Sequence, residues 1–132
     1  MENIKYESIA GKNVVITGAS GGIGEALTAM YYYNGANLIL TDISSRLKKG
    51  NYPAGAKLIA GDLSSLDTVE DLAKSILSEV DNVDILINNA AMVPKERIIT
   101  SEGIETQFAV NYIAPYLLSR LLLNMLKKSS PS

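Results

Sequence analysis

A short apolar run, Asn13-Val14-Val15-Ile16, passes directly into Thr17-Gly18-Ala19-Ser20-Gly21-Gly22-Ile23-Gly24, and a helical pattern starts there. Strand, glycine-rich turn and helix, in that order, open a βαβ unit. Such a unit commits a chain to a parallel sheet with helices on its faces. Gly18, Gly22 and Gly24 set the turn as G-x-x-x-G-x-G rather than the commoner G-x-G-x-x-G. Glycine admits positive φ and lets a ligand come close to bare backbone. A helix starting near Gly22 aims free N–H groups and a partial positive charge at whatever sits in the turn. Residues Gly18 and Ser20 to Gly24 therefore read as a cradle for the pyrophosphate of a dinucleotide. The alternative is a tight strand-to-helix turn that binds nothing.

The rest of the chain repeats this alternation. Apolar, β-branched runs fall at 14–17, 38–41, 57–60 and 83–87. None alternates strictly, as expected for parallel strands covered on both faces. Ile23, Leu27 and Met30 fit one face of a first helix, and Val69, Leu72, Ala73, Ile76 and Leu77 fit one face of another. Ser44–Lys49 makes a turn or two before Gly50-Asn51-Tyr52-Pro53 ends it. A loop over 90–100 leads into a long helix over 101–128, with Ser101 as its N-cap and Lys127 and Lys128 at the negative end of its dipole. Leu117, Leu118, Leu121, Leu122 and Met125 make more apolar stripe than one core contact needs: core packing is the default for most of them, and the outward face of the helix is left uncovered. The run Tyr31-Tyr32-Tyr33 packs the first helix on one side and meets water on the other. Ser129-Ser130-Pro131-Ser132 reads as loop. The fold class is α/β: a three-layer sheet with right-handed crossovers.

Composition narrows the chemistry. The 132 residues make one domain, 1–132, without repeats or linkers. A chain of this size buries roughly two-thirds of its unfolded surface. Net charge is −2 with mixed signs, which gives no footprint for nucleic acid or anionic lipid. Cysteine and histidine are both absent, which excludes disulfides, thiol nucleophiles, imidazole bases and His- or Cys-ligated metal. No metal site is expected. Met1-Glu2-Asn3-Ile4-Lys5 carries no signal-peptide pattern, and the apolar stretch over 117–126 is too polar and short to span a bilayer. A cytoplasmic location is the expectation.

Asp42 ends the second apolar run, 18 residues after Gly24. A dinucleotide fold places an acidic side chain there to accept hydrogen bonds from the adenosine ribose. A carboxylate with Ile43 beside it repels a 2′-phosphate, so NAD is favoured over NADP, although Arg46 and Lys48 follow closely. A strand-end cap is the structural alternative for Asp42.

Three further pieces complete a series: Asp62-Leu63 after the third run, Asn88-Asn89-Ala90-Ala91 after the fourth, and Asn111 in the long helix. Together with the glycine turn they resemble the short-chain dehydrogenase/reductase family, in order and spacing, over nearly the whole chain. The resemblance implies a Rossmann-type sheet of strand order 3-2-1-4 and hydride transfer between NAD(P) and a carbonyl or alcohol. It places Asp62 and Leu63 against the adenine. Asn88, Asn89, Ala90 and Ala91 would line the cofactor, with Ala91 standing where the family usually has glycine. It makes Asn111 the catalytic asparagine. Pro115 supplies a physical reason to notice Asn111, because proline cannot donate to the Asn111 carbonyl four residues earlier and kinks the helix.

The family's serine and Tyr-x-x-x-Lys have no counterpart here: none of the seven tyrosines has lysine four residues on. Tyr116 has Arg120, which is no substitute for lysine. The expectation is an N-terminal, cofactor-binding part of such an enzyme, inactive alone. The alternative is a non-catalytic NAD-binding or regulatory module. Truncation would leave the fourth strand as an apolar edge, open to self-association there or through the long helix.

Overall fold

The computed structural model describes residues 8–129. Met1 to Lys5, read above for a signal-peptide pattern, and most of the C-terminal loop expected over 129–132 lie outside the described residues. Four strands, β1 (Asn13–Thr17), β2 (Asn37–Asp42), β3 (Lys57–Ala60) and β4 (Ile85–Ile87), form one parallel sheet in the order β3-β2-β1-β4. Helices α1 (Gly22–Tyr33), α2 (Ser44–Leu47) and α3 (Leu66–Glu79) fill the crossovers. The strand order and layers are those the resemblance implied.

The middle strands are covered on both faces, and their side chains sort by strict alternation. Val15 and Ile39 enter a core with α3 and the C-terminal helices, whereas Val14, Ile16, Leu38 and Leu40 enter a second core beneath α1. Each fully buried aliphatic side chain contributes about 1.5–3 kcal/mol relative to exposure.

The first helix departs from expectation. Ile23 and Met30 are exposed, and the face turned to the sheet carries Gly24 and Thr28, flanked by Leu27 and Tyr31. Small residues let α1 lie close to the strands, and hydrophobicity alone misreads that face. Tyr31 packs inward while Tyr33 stands in water, as expected. In α3, Val69, Leu72, Ala73 and Ile76 are buried, but Leu77 is on the exposed side.

The long helix is shorter and more broken than its sequence suggests. Residues 101–104 form a turn, and α4 (Thr106–Phe108) begins after Glu105, whose carboxylate caps the Gln107 and Phe108 N–H groups. A π-helical turn (Ala109–Ile113) follows, then α5 (Ala114–Leu121) and α6 (Leu123–Lys128). Glu105 replaces Ser101 as cap because its two oxygens reach two orphan donors at once. Leu118, Leu122 and Met125 are buried, so most of the leucine stripe is core. Leu121 of the stripe is exposed, and the rest of the uncovered surface on this side is aromatic: Phe108 and Tyr112 stack at 5.1 Å, and Tyr116 is exposed as well. β4 lies at a sheet edge among the described residues, with its side chains half-buried. No helix among the described residues is long and apolar enough to cross a membrane.

At the end of the sheet away from the glycine turn, Asp84 ties β1 to β4. Its Oδ2 accepts the Asn13 N–H at 2.7 Å, and Lys12 Nζ lies 3.9 Å from Oδ1. Burial pushes the Asp84 carboxyl up. The Asn13 N–H, then the Ser129 hydroxyl, the Lys12 charge and Asn82 outweigh burial and hold it below its ordinary 3.8. A depressed folded pKa contributes stability above the unfolded value, and that stability is lost as pH falls below about 4. Asp84→Asn is expected to flatten this acid loss, read from urea unfolding midpoints between pH 3 and 7.

Thr28 gives a second test. Its buried hydroxyl is without a hydrogen-bond partner among the described residues. Leaving a buried donor unpaired costs about 1–3 kcal/mol, and an apolar group of the same shape removes that cost. Thr28→Val is expected to leave stability equal or raise it by about 1 kcal/mol in urea unfolding, whereas a fall of that size would contradict the unpaired state.

Candidate functional site

The C-terminal ends of the strands open on a cleft of about 520 Å³. The glycine turn forms its floor, and its glycines serve different ends. Gly18 has φ of 65°, and a Cβ there would lie 2.7 Å from Ala90 Cα. A Cβ on Gly24 would overlap the Gly18 carbonyl and come within 2.8 Å of Ala19 Cα. These two are fixed by the protein's own packing. Gly22 is different: its φ is ordinary and nothing lies within 4 Å of its Cβ position. Gly21, the N-cap of α1, supplies no side-chain cap to the helix start. Gly21, Gly22 and Ile23 line the cleft, so the open N-terminus of a twelve-residue helix faces it across bare backbone.

Asp42 is buried at the end of β2 and lines the same cleft. Its Oδ1 accepts the Ile43 N–H at 2.8 Å and its Oδ2 accepts the Ser20 N–H at 3.1 Å. It is thus a strand-end cap and a cleft wall at once, since a carboxylate has about four acceptor sites and two are used. Ile43 and the exposed Arg46 continue the wall. Ser20 is not among the cleft-lining residues. Its Oγ lies 2.7 Å from the Tyr52 hydroxyl.

On the next strand end, Asp62 Oδ1 accepts from the Ser64 N–H at 2.9 Å and from its hydroxyl at 2.7 Å. The Thr68 hydroxyl donates to the Asp62 carbonyl. Leu63 reaches both core and cleft. Gly61 lies against α3, where a Cβ would come within 2.9 Å of Leu72 Cδ2.

Beyond β4, the Asn89 side chain donates to the Thr17 and Gly18 carbonyls at 3.0 and 3.2 Å. The Ala90 N–H donates to Thr17 Oγ1 at 3.0 Å. Asn89, Ala90 and Ala91 line the cleft. Asn88 is not among the lining residues. Its amide donates at 3.2 Å to the Ser119 hydroxyl, which in turn donates to the Pro115 carbonyl at 2.7 Å.

Asn111 sits inside the π-helical turn and also stands off the cleft lining. Its side chain grips one residue at both ends: Oδ1 accepts the Met92 N–H at 2.9 Å, and Nδ2 donates to the Met92 carbonyl at 2.8 Å. Met92 lines the cleft. In this π turn, just before Pro115, Ala114 donates back five residues to the Ala109 carbonyl. Thr106 and Val110 close the cleft from the helix side. Sequence reading missed them, as it missed Met92, Gly61 and Ser64. The spacing of Thr106 and Val110 marks one helix face, but only packing shows which face meets the cleft.

The family model described as short chain dehydrogenase matches residues 12–131. Retinol dehydrogenase 13 of Mus musculus is 36% identical over 135 residues, covering 95% of this chain and 40% of its own length. A metagenomic short-chain oxidoreductase solved in complex with NADP superposes with a TM-score of 0.72 at 29% identity, covering 91% of this chain and 58% of that one. A short-chain dehydrogenase from Streptomyces avermitilis gives 0.72 at 26% identity, covering 90% and 46%. The chain thus spans about 40% of the length of the retinol dehydrogenase it matches. With the glycine turn, the strand-end residues and the sheet order all in register, this chain belongs to the short-chain dehydrogenase/reductase family.

Proposed function

We propose that the cleft binds a nicotinamide dinucleotide and that the chain forms the cofactor-binding part of an NAD(P)-dependent oxidoreductase acting on a carbonyl or alcohol. The observation that carries this is Gly22. It has room for a side chain, no need of positive φ, and bare backbone at an uncapped helix start facing the cleft. Such a cradle is what a pyrophosphate occupies. The metagenomic relative bound to NADP supports the same ligand class.

In this reading the dinucleotide supplies the hydride acceptor or donor. Gly18 and Gly21–Gly24 hold its phosphates, Asp42 and Ile43 its adenosine ribose, and Asp62 and Leu63 its adenine. Asn89, Ala90 and Ala91 shape the path toward the reacting end, and Asn88 steadies β4 against α5. Asn111 positions Met92 through its side chain, and its backbone carbonyl, denied a donor by Pro115, is free to hold a relay water. These 132 residues contain no Tyr-x-x-x-Lys, so by themselves they bind without turnover. The same observation favours a second reading, a non-catalytic dinucleotide-binding module. The proposed setting is cytoplasmic, with self-association through the β4 edge or the Phe108–Tyr112–Tyr116 face.

Gly22→Asp is expected to abolish NAD and NADP binding, a loss of at least about 100-fold, while the far-UV spectrum and unfolding midpoint stay unchanged. Undiminished affinity by calorimetry would remove the central support for the cleft's role.

For the choice of cofactor, Asp42 is buried and held by two N–H groups, whereas Arg46 is exposed. The fixed carboxylate outweighs the mobile cation, so we propose NAD over NADP. Asp42→Asn keeps an acceptor and removes the charge. It is expected to weaken NAD by about 10-fold, the worth of a hydrogen bond to a charged group, and to strengthen NADP. Dissociation constants for both nucleotides decide this.

A further inference from the structure

Tyr52 belongs to the Gly50-Asn51-Tyr52-Pro53 stretch between α2 and β3 and does not line the cleft. Four observations converge on it. Its ring packs, half-buried, against the core of Val14, Ile16, Ala19, Leu38 and Leu40. Its hydroxyl lies 2.7 Å from Ser20 Oγ. Gly50 leaves the space that the ring occupies, because a Cβ on Gly50 would overlap the tyrosine hydroxyl and ring. The Ser20 N–H is bound by Asp42 Oδ2 at 3.1 Å.

Ser20 is therefore held from two sides, by Asp42 at its backbone and by Tyr52 at its side chain. It stands immediately before Gly21 and Gly22, the bare stretch of the turn. A glycine-rich turn has the most conformational freedom to lose on ordering. A residue that fixes the position before it reduces what a ligand must spend in ordering it, and so raises affinity without touching the ligand.

We propose that Tyr52 is a positioning residue for the phosphate turn: through its hydroxyl contact with Ser20 it pre-forms the turn that receives the dinucleotide. The inference rests on the dinucleotide reading given above and names a part of the machinery that the glycine motif does not contain. Tyr52 acts through Ser20 and Asp42. The hydroxyl pair also retains one proton beyond the bond it makes, because two hydroxyls carry two protons and one bond uses one.

The test is a double-mutant cycle on NAD binding by calorimetry, with urea unfolding in parallel. Tyr52→Phe keeps the ring and its core packing and removes only the hydroxyl. Ser20→Ala removes the other end. Each single variant is expected to raise the dissociation constant by about 3- to 10-fold, the worth of one neutral hydrogen bond. The double variant is expected to lose no more than either single one. Gly50→Ala, whose Cβ would displace the Tyr52 hydroxyl and ring while the tyrosine itself is kept, is expected to fall in the same range.

Wild-type binding with an unchanged constant in Tyr52→Phe overturns the role of Tyr52 and leaves the dinucleotide reading standing. Additive losses in the double variant, or a loss explained by a smaller folded fraction, also overturn it. No binding of NAD or NADP by the wild-type protein overturns the dinucleotide reading and this inference together.

Discussion

The contact between Gly18 and Ala90 governs the site. At this point the chain leaving β1 turns beneath the chain leaving β4, so close that Gly18 has no room for a side chain and adopts a φ open chiefly to glycine. Thr17 and Asn89 secure the approach. The threonine hydroxyl accepts the Ala90 N–H, and the asparagine amide spans the Thr17 and Gly18 carbonyls. These bonds pair backbone groups that the strands release at their ends, where unpaired buried groups are costly. The floor of the cleft is therefore a by-product of how two neighbouring strands finish.

Around that point the sheet is a divider between two unlike cores. One side packs leucine, valine and isoleucine from α3, α5 and α6. The other receives α1 through Gly24 and Thr28, which lets the helix sit low over the strands and sends its N-terminus to the turn. The close packing of α1 and the open backbone at Gly22 are linked. The Gly24 position is crowded by the turn itself, and two residues earlier the helix start emerges into the cleft. Opposite, the π turn before Pro115 carries Asn111 to Met92, and the two hydrogen bonds of Asn111 tie the helix and the loop after β4 into one wall.

The sequence made a good deal of this legible. The glycine spacing, the strand-end acids and the Asn-Asn-Ala run located the site because each falls where a strand must stop and a backbone must turn. Three things escaped it. The buried face of α1 is small rather than apolar, so Ile23 and Met30 misled a reading based on hydrophobicity. Glu105 caps the C-terminal helix by reaching two donors, which the Ser101 signal could not foreshadow. Asn88 and Asn89 are adjacent and alike in sequence, yet strand alternation sends one to Ser119 and the other to the turn.

By itself the sequence determined the parallel α/β architecture, the glycine-rich turn after β1 and the acidic end of β2. Alternating apolar runs, glycine where a Cβ is forbidden and a carboxylate at a strand end are local requirements, written in local residues. Only the tertiary structure decided which residues share the cleft and which stand behind it. Met92 joins the wall where the Asn111 side chain holds it, and Thr106 and Val110 join it from one side of the α4 and π-turn segment. Tyr52 reaches Ser20 across 32 positions because its ring packs on the core beneath α1 in which Ala19, the residue before Ser20, is buried. Such contacts depend on how elements stack, and no spacing along the chain encodes the distance between them.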